Sequence, residues 1–143
     1  MRLTRIHVDD TLRAGSELAL PEASAAHLTR VLRLRIGDTC VVFDGRGHEA
    51  DGQLVAIDKR GARVRIGDVR APANESPLRI SLLQGVARGE KMDLILQKGT
   101  ELGVAAFVPV FSDRSEVKLD GPRAAKRLAH WHGVVVAACE QSG

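Results

Sequence analysis

The chain is 143 residues long, enough for one ordinary domain or two small ones. Hydrophobic residues make up 44% and charged residues 27%, a globular composition, and no apolar run approaches the ~18 residues of a membrane span. Net charge is only +3 with arginine far ahead of lysine, and aromatics are 3% with no tyrosine, which argues against an aromatic stacking platform for single-stranded bases.

The first half reads as short strands. RLTRIHV (2–8) alternates, with Arg5 and His7 on one face and Ile6 and Val8 on the other. Its charges interrupt the apolar stretch a signal peptide needs, so a cytoplasmic location is expected. PEASAAHLTRVLRL (21–34) predicts a helix, with Pro21 at the first position and Glu22 in the first turn. Ala25, Leu28, Val31 and Leu32 form its apolar stripe. Arg30 and Arg33 lie off that stripe and join Arg35 in a basic cluster. Such a cluster fits a solvated face as well as it fits phosphate contact. TCVVFDG (39–45) is a strand ending in an Asp-Gly turn. HEADGQLVAIDKRGARVRIGDVR (48–70) is two strands joined around Lys59-Arg60-Gly61, the second facing Ala62, Val64 and Ile66 inward. Several short strands and one helix predict a small barrel-like β domain.

APANESP (71–77) has two prolines and no large apolar residue, and reads as a linker. The remainder predicts a strand over 78–85 and a helix over 88–103, with Met92, Ile95, Leu96 and Leu102 near one face. A strand over 104–112 and a helix over 120–141 follow, the helix carrying Leu128, Trp131, Val135 and Ala138. SEVKL (115–119) is a candidate short third strand. Strand, helix, strand, helix predicts parallel pairing through right-handed crossovers. So few strands and helices cover a parallel sheet thinly, so this half is expected to need more chain, a partner subunit, or both.

Within QGVARGEKMD a strand, a glycine turn, a lysine and a helix follow in the order of a phosphate-binding loop. The details disagree: Gly85 and Gly89 are four apart, Lys91 does not follow the glycine, and Met92 stands where a magnesium-binding hydroxyl belongs. A GxGxxG fingerprint is also absent. A helix start explains Gly89, Glu90 and Asp93. It does not explain Gly99, which costs ~1 kcal/mol in a helix interior and predicts a packing contact or a close ligand. Cys40 and Cys139 lie outside any CxxC and read as buried reduced thiols. His130 and His132, two apart on a helix, point away from each other, so no metal site is expected.

In order along the chain, RVLRLRIGD, VFDGRG, QGVARGEKMDLILQKGTELGV, PVFSDRSEVK and AHWHGVVVAACEQSG resemble the 16S rRNA uridine-N3 methyltransferases, the RsmE family. The resemblance covers essentially the whole chain, and 84–104 and the closing ACEQS are its most specific parts. It implies a PUA-like β-barrel over 1–71, a linker over 72–77 and the first part of a SPOUT-type α/β domain over 78–143. In this family that domain ends in a trefoil knot and works as a homodimer. The implied activity is S-adenosylmethionine-dependent methylation of uridine N3 in rRNA of the small ribosomal subunit. The cofactor pocket is expected beyond Gly143, in glycine-rich loops, so no cofactor-binding residue is expected in this chain, which is expected to be inactive alone. Gln97 and Lys98 lie nearest the position from which related enzymes direct a basic residue toward the active site. Glu101, Glu140 and Gln141 match recurrent family positions and complete the catalytic candidates. Arg5, Arg30, Arg33, Arg35, Arg88 and Lys91 are the candidates for RNA contact. The alternative is a non-catalytic RNA-binding module ending naturally at Gly143.

Overall fold

The computed structural model describes residues 4–113, 117 and 120–143. They form two compact units, Met1–Ala73 and Asn74–Gly143, and the boundary falls inside APANESP.

The first unit contains β1 (Arg5–His7), β2 (Glu17–Ala19), α1 (Glu22–Ala26), a π-helical turn (His27–Val31), β3 (Thr39–Phe43), β4 (Glu49–Asp58) and β5 (Gly61–Arg70). One sheet runs in the order β1-β3-β4-β5-β2. Only β1 and β3 pair in parallel. The β4–β5 hairpin turns at Lys59 and Arg60, where the sequence placed it. Register shifts in β4 at Ala50/Gly52 and Leu54/Ala56 bend the sheet. Alternation along β5 turns Ala62, Val64 and Ile66 into a core shared with Ile6, Val8, Leu28, Cys40, Val42 and Leu54. The strand pattern predicts a small β domain here, and the resemblance implies that it is PUA-like.

Two details depart from the sequence reading. A short strand, β2, occupies Glu17–Ala19; its three residues are too few to show a period. The helix expected over 21–34 is five α-helical residues followed by the π turn, and Pro21 caps it rather than opening it. The Leu32 N–H reaches back five residues to the His27 carbonyl, at 3.0 Å. That wider turn rotates the following residues off the helical stripe. Ala25 and Leu28 are buried as expected, but Val31 is 65% and Leu32 41% exposed.

The second unit is SPOUT-type α/β. It contains β6 (Ile80–Gly85), α2 (Glu90–Glu101), β7 (Val104–Val110) and α3 (Gly121–Ser142). β6 and β7 pair in parallel, with α2 as the connection between them. Asp120 caps α3, its side chain accepting from the Arg123 N–H at 3.4 Å, and Pro122 lies in the first turn. Val86, Met92, Leu96 and Trp131 form the core, with Phe107 and Val135 against it. Leu102 leaves this core because it is the C-cap of α2 and no longer helical, and it is 83% exposed. Leu128 is 60% exposed, three residues before the buried Trp131. Gly99 has its packing contact: a Cβ there would come within 2.7 Å of the Phe107 ring. All of SEVKL except Val117 lies outside the described residues. Cys40 is buried and Cys139 half-buried, and the two are not joined in a disulfide. Among the described residues no helix is long and apolar enough to cross a membrane.

Candidate functional site

Arg30, Arg33 and Arg35 are exposed on and just after the π turn. None of the three guanidinium groups pairs with a carboxylate among the described residues. The turn beneath them is well tied. Leu28 is fully buried and Leu34 packs on the core. The Leu34 N–H donates to the Leu28 carbonyl at 3.0 Å, and the Arg35 N–H donates to Asp38 Oδ2 at 2.7 Å. Gly37 and Asp38 exchange backbone hydrogen bonds with Leu54 of β4, at 2.8 and 2.9 Å. Arg33 sits at φ 57°, in the left-handed region. A side chain other than glycine, asparagine or aspartate is uncommon there, and such backbone strain clusters at functional sites.

Arg5 is placed differently from the other RNA-contact candidates. Its Nη1 donates to Glu49 Oε2 at 2.6 Å, its guanidinium lies 5.0 Å from the Phe43 ring centroid, and its side chain is 17% exposed. Glu49 also accepts from Arg70 Nε at 2.9 Å, and Arg70 reaches Asp51 at 3.1 Å. Arg5 is therefore a structural cation that ties β1 to β4, not an exposed phosphate contact. Burial acts to raise the Glu49 carboxyl pKa, but hydrogen bonds and charge from Arg5 and Arg70 outweigh it and hold it below the usual range. Asp44 is a second buried carboxylate. Burial opposes its ionisation too, but the backbone N–H groups of Arg46 and His48 and the His48 ring hold its pKa down.

In the second unit α2 and α3 flank an open groove of about 630 Å³. Glu90, Lys91, Asp93, Leu94 and Gln97 line it from α2, and Val134, Ala137, Ala138 and Gln141 from α3. Three sequence candidates therefore meet: Lys91, Gln97 and Gln141. Lys98 does not join them; its ammonium is held by Glu101 at 2.7 Å, one turn on. Glu140 is half-buried on α3 outside the groove lining, and Arg88 is exposed in the turn before α2. Sequence reasoning missed a cross-helix contact. His130 Nε2 lies 2.8 Å from Asp93 Oδ2, across 37 residues of chain. Asp93 Oδ1 and Trp131 Nε1 are buried with no hydrogen-bond partner among the described residues. No spacing rule pairs residues so far apart. The described residues contain no group of three His, Cys, Asp or Glu side chains able to hold a metal ion.

A model described as an RNA methyltransferase PUA domain matches residues 20–67, and one described as an RNA methyltransferase domain matches 74–143. Ribosomal RNA small subunit methyltransferase E of Bacillus subtilis is 34% identical over 116 residues, covering 81% of this chain and 45% of that protein. Its counterpart in Buchnera aphidicola (strain APS) is 26% identical over 140 residues, covering 98% and 55%. The crystal structure of ribosomal RNA small subunit methyltransferase E from Neisseria gonorrhoeae, bound to S-adenosyl methionine, superimposes with a TM-score of 0.92 at 43% identity. That match covers 99% of this chain and 58% of that one. A putative methyltransferase from Legionella pneumophila with bound S-adenosylmethionine superimposes at 0.94, with 34% identity, covering 100% and 59%. The chain belongs to the ribosomal RNA small subunit methyltransferase E family. It spans about half the length of the curated relatives it matches.

Proposed function

We propose that this chain supplies the RNA-binding domain and the first α/β segment of a methyltransferase. The enzyme transfers a methyl group from S-adenosylmethionine to N3 of a uridine in 16S rRNA. The likeness over 99% of the chain to a methyltransferase E carrying that cofactor is the observation that supports this reading most. In this reading 1–71 binds RNA, 72–77 links, 78–143 contributes to the catalytic domain, and the enzyme works in the cytoplasm as a homodimer.

The described residues do not fit the cofactor. The α2–α3 groove is open, and it is lined by helix side chains that include two carboxylates, Glu90 and Asp93, rather than by glycine-backed amide donors. No transfer step is therefore routed through them. When bound, S-adenosylmethionine supplies an electrophilic methyl on a sulfonium. The RNA must present N3 in line with that methyl, with the N3 proton removed or the resulting anion stabilised. Arg30 and Arg33 position the rRNA through its phosphates; they do not act on N3. Of the catalytic candidates, Gln97 and Gln141 share the groove with Lys91, Lys98 and Glu101 pair with each other along α2, and Glu140 lies on α3 outside the groove lining.

A methyl on N3 removes a Watson–Crick donor, so reverse transcriptase stops at the modified uridine. Cells lacking the gene should lose one such stop in 16S rRNA. A gene of the relatives' full length should restore it, and one encoding only these 143 residues should not. Restoration by the 143-residue chain would overturn the proposal that it is inactive alone. An unchanged stop pattern in the deletion strain would overturn the methyltransferase reading and leave the RNA-binding module in its place.

A further inference from the structure

The basic turn carries a second feature that phosphate binding does not require. Across residues 30–36 only Leu34 faces the core; Val31 is 65%, Leu32 41% and Ile36 63% exposed. Large aliphatic side chains thus alternate with three unpaired guanidinium groups on one short segment. The segment is held rigid by the buried Leu28, by Leu34 and by the hydrogen bonds of Asp38 and Leu54. The shape is fixed in advance, so its apolar atoms cannot withdraw into the core.

A fully paired RNA helix offers such a surface little. Its major groove is deep and narrow, its base faces are stacked inside, and phosphates and 2′-hydroxyls are what a protein meets. An unpaired base presents an apolar face beside flanking phosphates, which matches aliphatic side chains set among guanidinium groups. We propose that the Val31–Ile36 surface is a platform for an unstacked base, so the RNA bound by this domain is an interrupted helix, bulged or looped, rather than a continuous duplex. This rests on the RNA-binding reading above and narrows it. The unpaired positive charge favours RNA over a protein partner.

The test compares two RNAs with identical ends, a fully paired duplex and the same duplex carrying an unpaired bulge. Binding to the 143-residue chain is followed by fluorescence anisotropy over a salt series. The wild-type chain should prefer the bulged RNA by about tenfold, from burial of aliphatic surface on the base. Val31→Ser with Ile36→Ser should bring both RNAs to the duplex affinity with an unchanged salt slope. Ile36→Ser alone should lose part of the preference. Arg30→Ala with Arg33→Ala should weaken both RNAs and flatten the salt dependence. Val31 and Ile36 are exposed, so the serine variants should melt as the wild type does. A wild-type chain with no preference for the bulge, or a serine double variant that keeps it, overturns the platform while the RNA-binding reading stands; the surface then belongs to a protein partner. A wild-type chain that binds neither RNA overturns both.

Discussion

Gly99 shows how a single missing Cβ sets the distance between a helix and a strand. Two effects compete at this position. Alanine is favoured over glycine in a helix by ~1 kcal/mol, whereas overpacking costs ~1–3 kcal/mol. The Phe107 ring at 2.7 Å decides the outcome, because the ring is already packed on the core. Gly99→Ala should therefore lower stability by ~1 kcal/mol in the wild type but raise it in a Phe107→Ala background. A four-variant urea denaturation cycle with no change of sign would refute this. Glu49 is the corresponding position in the first unit. Glu49→Gln leaves Arg5 without its counter-charge in a largely buried site and should cost ~2–3 kcal/mol. The carboxyls of Glu49 and Asp44 titrate lower in the fold than in the unfolded chain. Their contribution is therefore complete above the unfolded values of ~4 and is lost as pH falls through the lower folded ones. Urea midpoints measured from pH ~5 to ~3 should fall steeply for the wild type and less steeply for Glu49→Gln.

The π turn is the element where local conformation departs most from propensity. Arg33 holds a left-handed backbone that costs an ordinary L-residue ~1–2 kcal/mol, a cost asparagine largely avoids. Arg33→Asn should therefore raise the melting temperature while weakening RNA binding. An RNA affinity equal to the wild type's would mean that the arginine is not kept for contact. The same turn marks the limit of reading structure from sequence. The β4–β5 hairpin was legible because ten-residue strands alternate and flank a Lys-Arg-Gly turn. The stripe Ala25, Leu28, Val31, Leu32 obeyed helical spacing equally well, yet one wider turn, closed by Leu32 on His27, exposed its second half. Arg5 looked like a surface cation because its partner Glu49 is 44 residues away. The His130–Asp93 contact was hidden for the same reason. Period and turn chemistry are local, and pairing across the chain is not.

At the scale of the whole molecule the two units differ in how much apolar surface they cover. The sheet of the first unit closes over one shared core. The second leaves Leu83 68%, Leu94 55%, Val108 44% and Phe111 55% exposed, and among the described residues its sheet has two strands. Less burial means less stability per residue. The protein should therefore unfold in two steps, the second unit first. The single tryptophan, Trp131, belongs to that unit and is buried there. Tryptophan fluorescence should then reach its urea midpoint before far-ultraviolet circular dichroism does. Coincident transitions would show one cooperative unit instead.

The buried cysteine gives the first unit a clock. Burial, aided by the charge of Asp51, pushes the Cys40 thiol up to about 11, and its side chain is sealed between β-strands. A thiol reagent at neutral pH therefore has almost no thiolate to attack and no path to it until the first unit opens. Cys139, half-buried on α3, is partly open to the same reagent without any unfolding. Mass spectrometry after timed pulses of one alkylating reagent should therefore find Cys139 labelled first and read the opening rate of the first unit from Cys40.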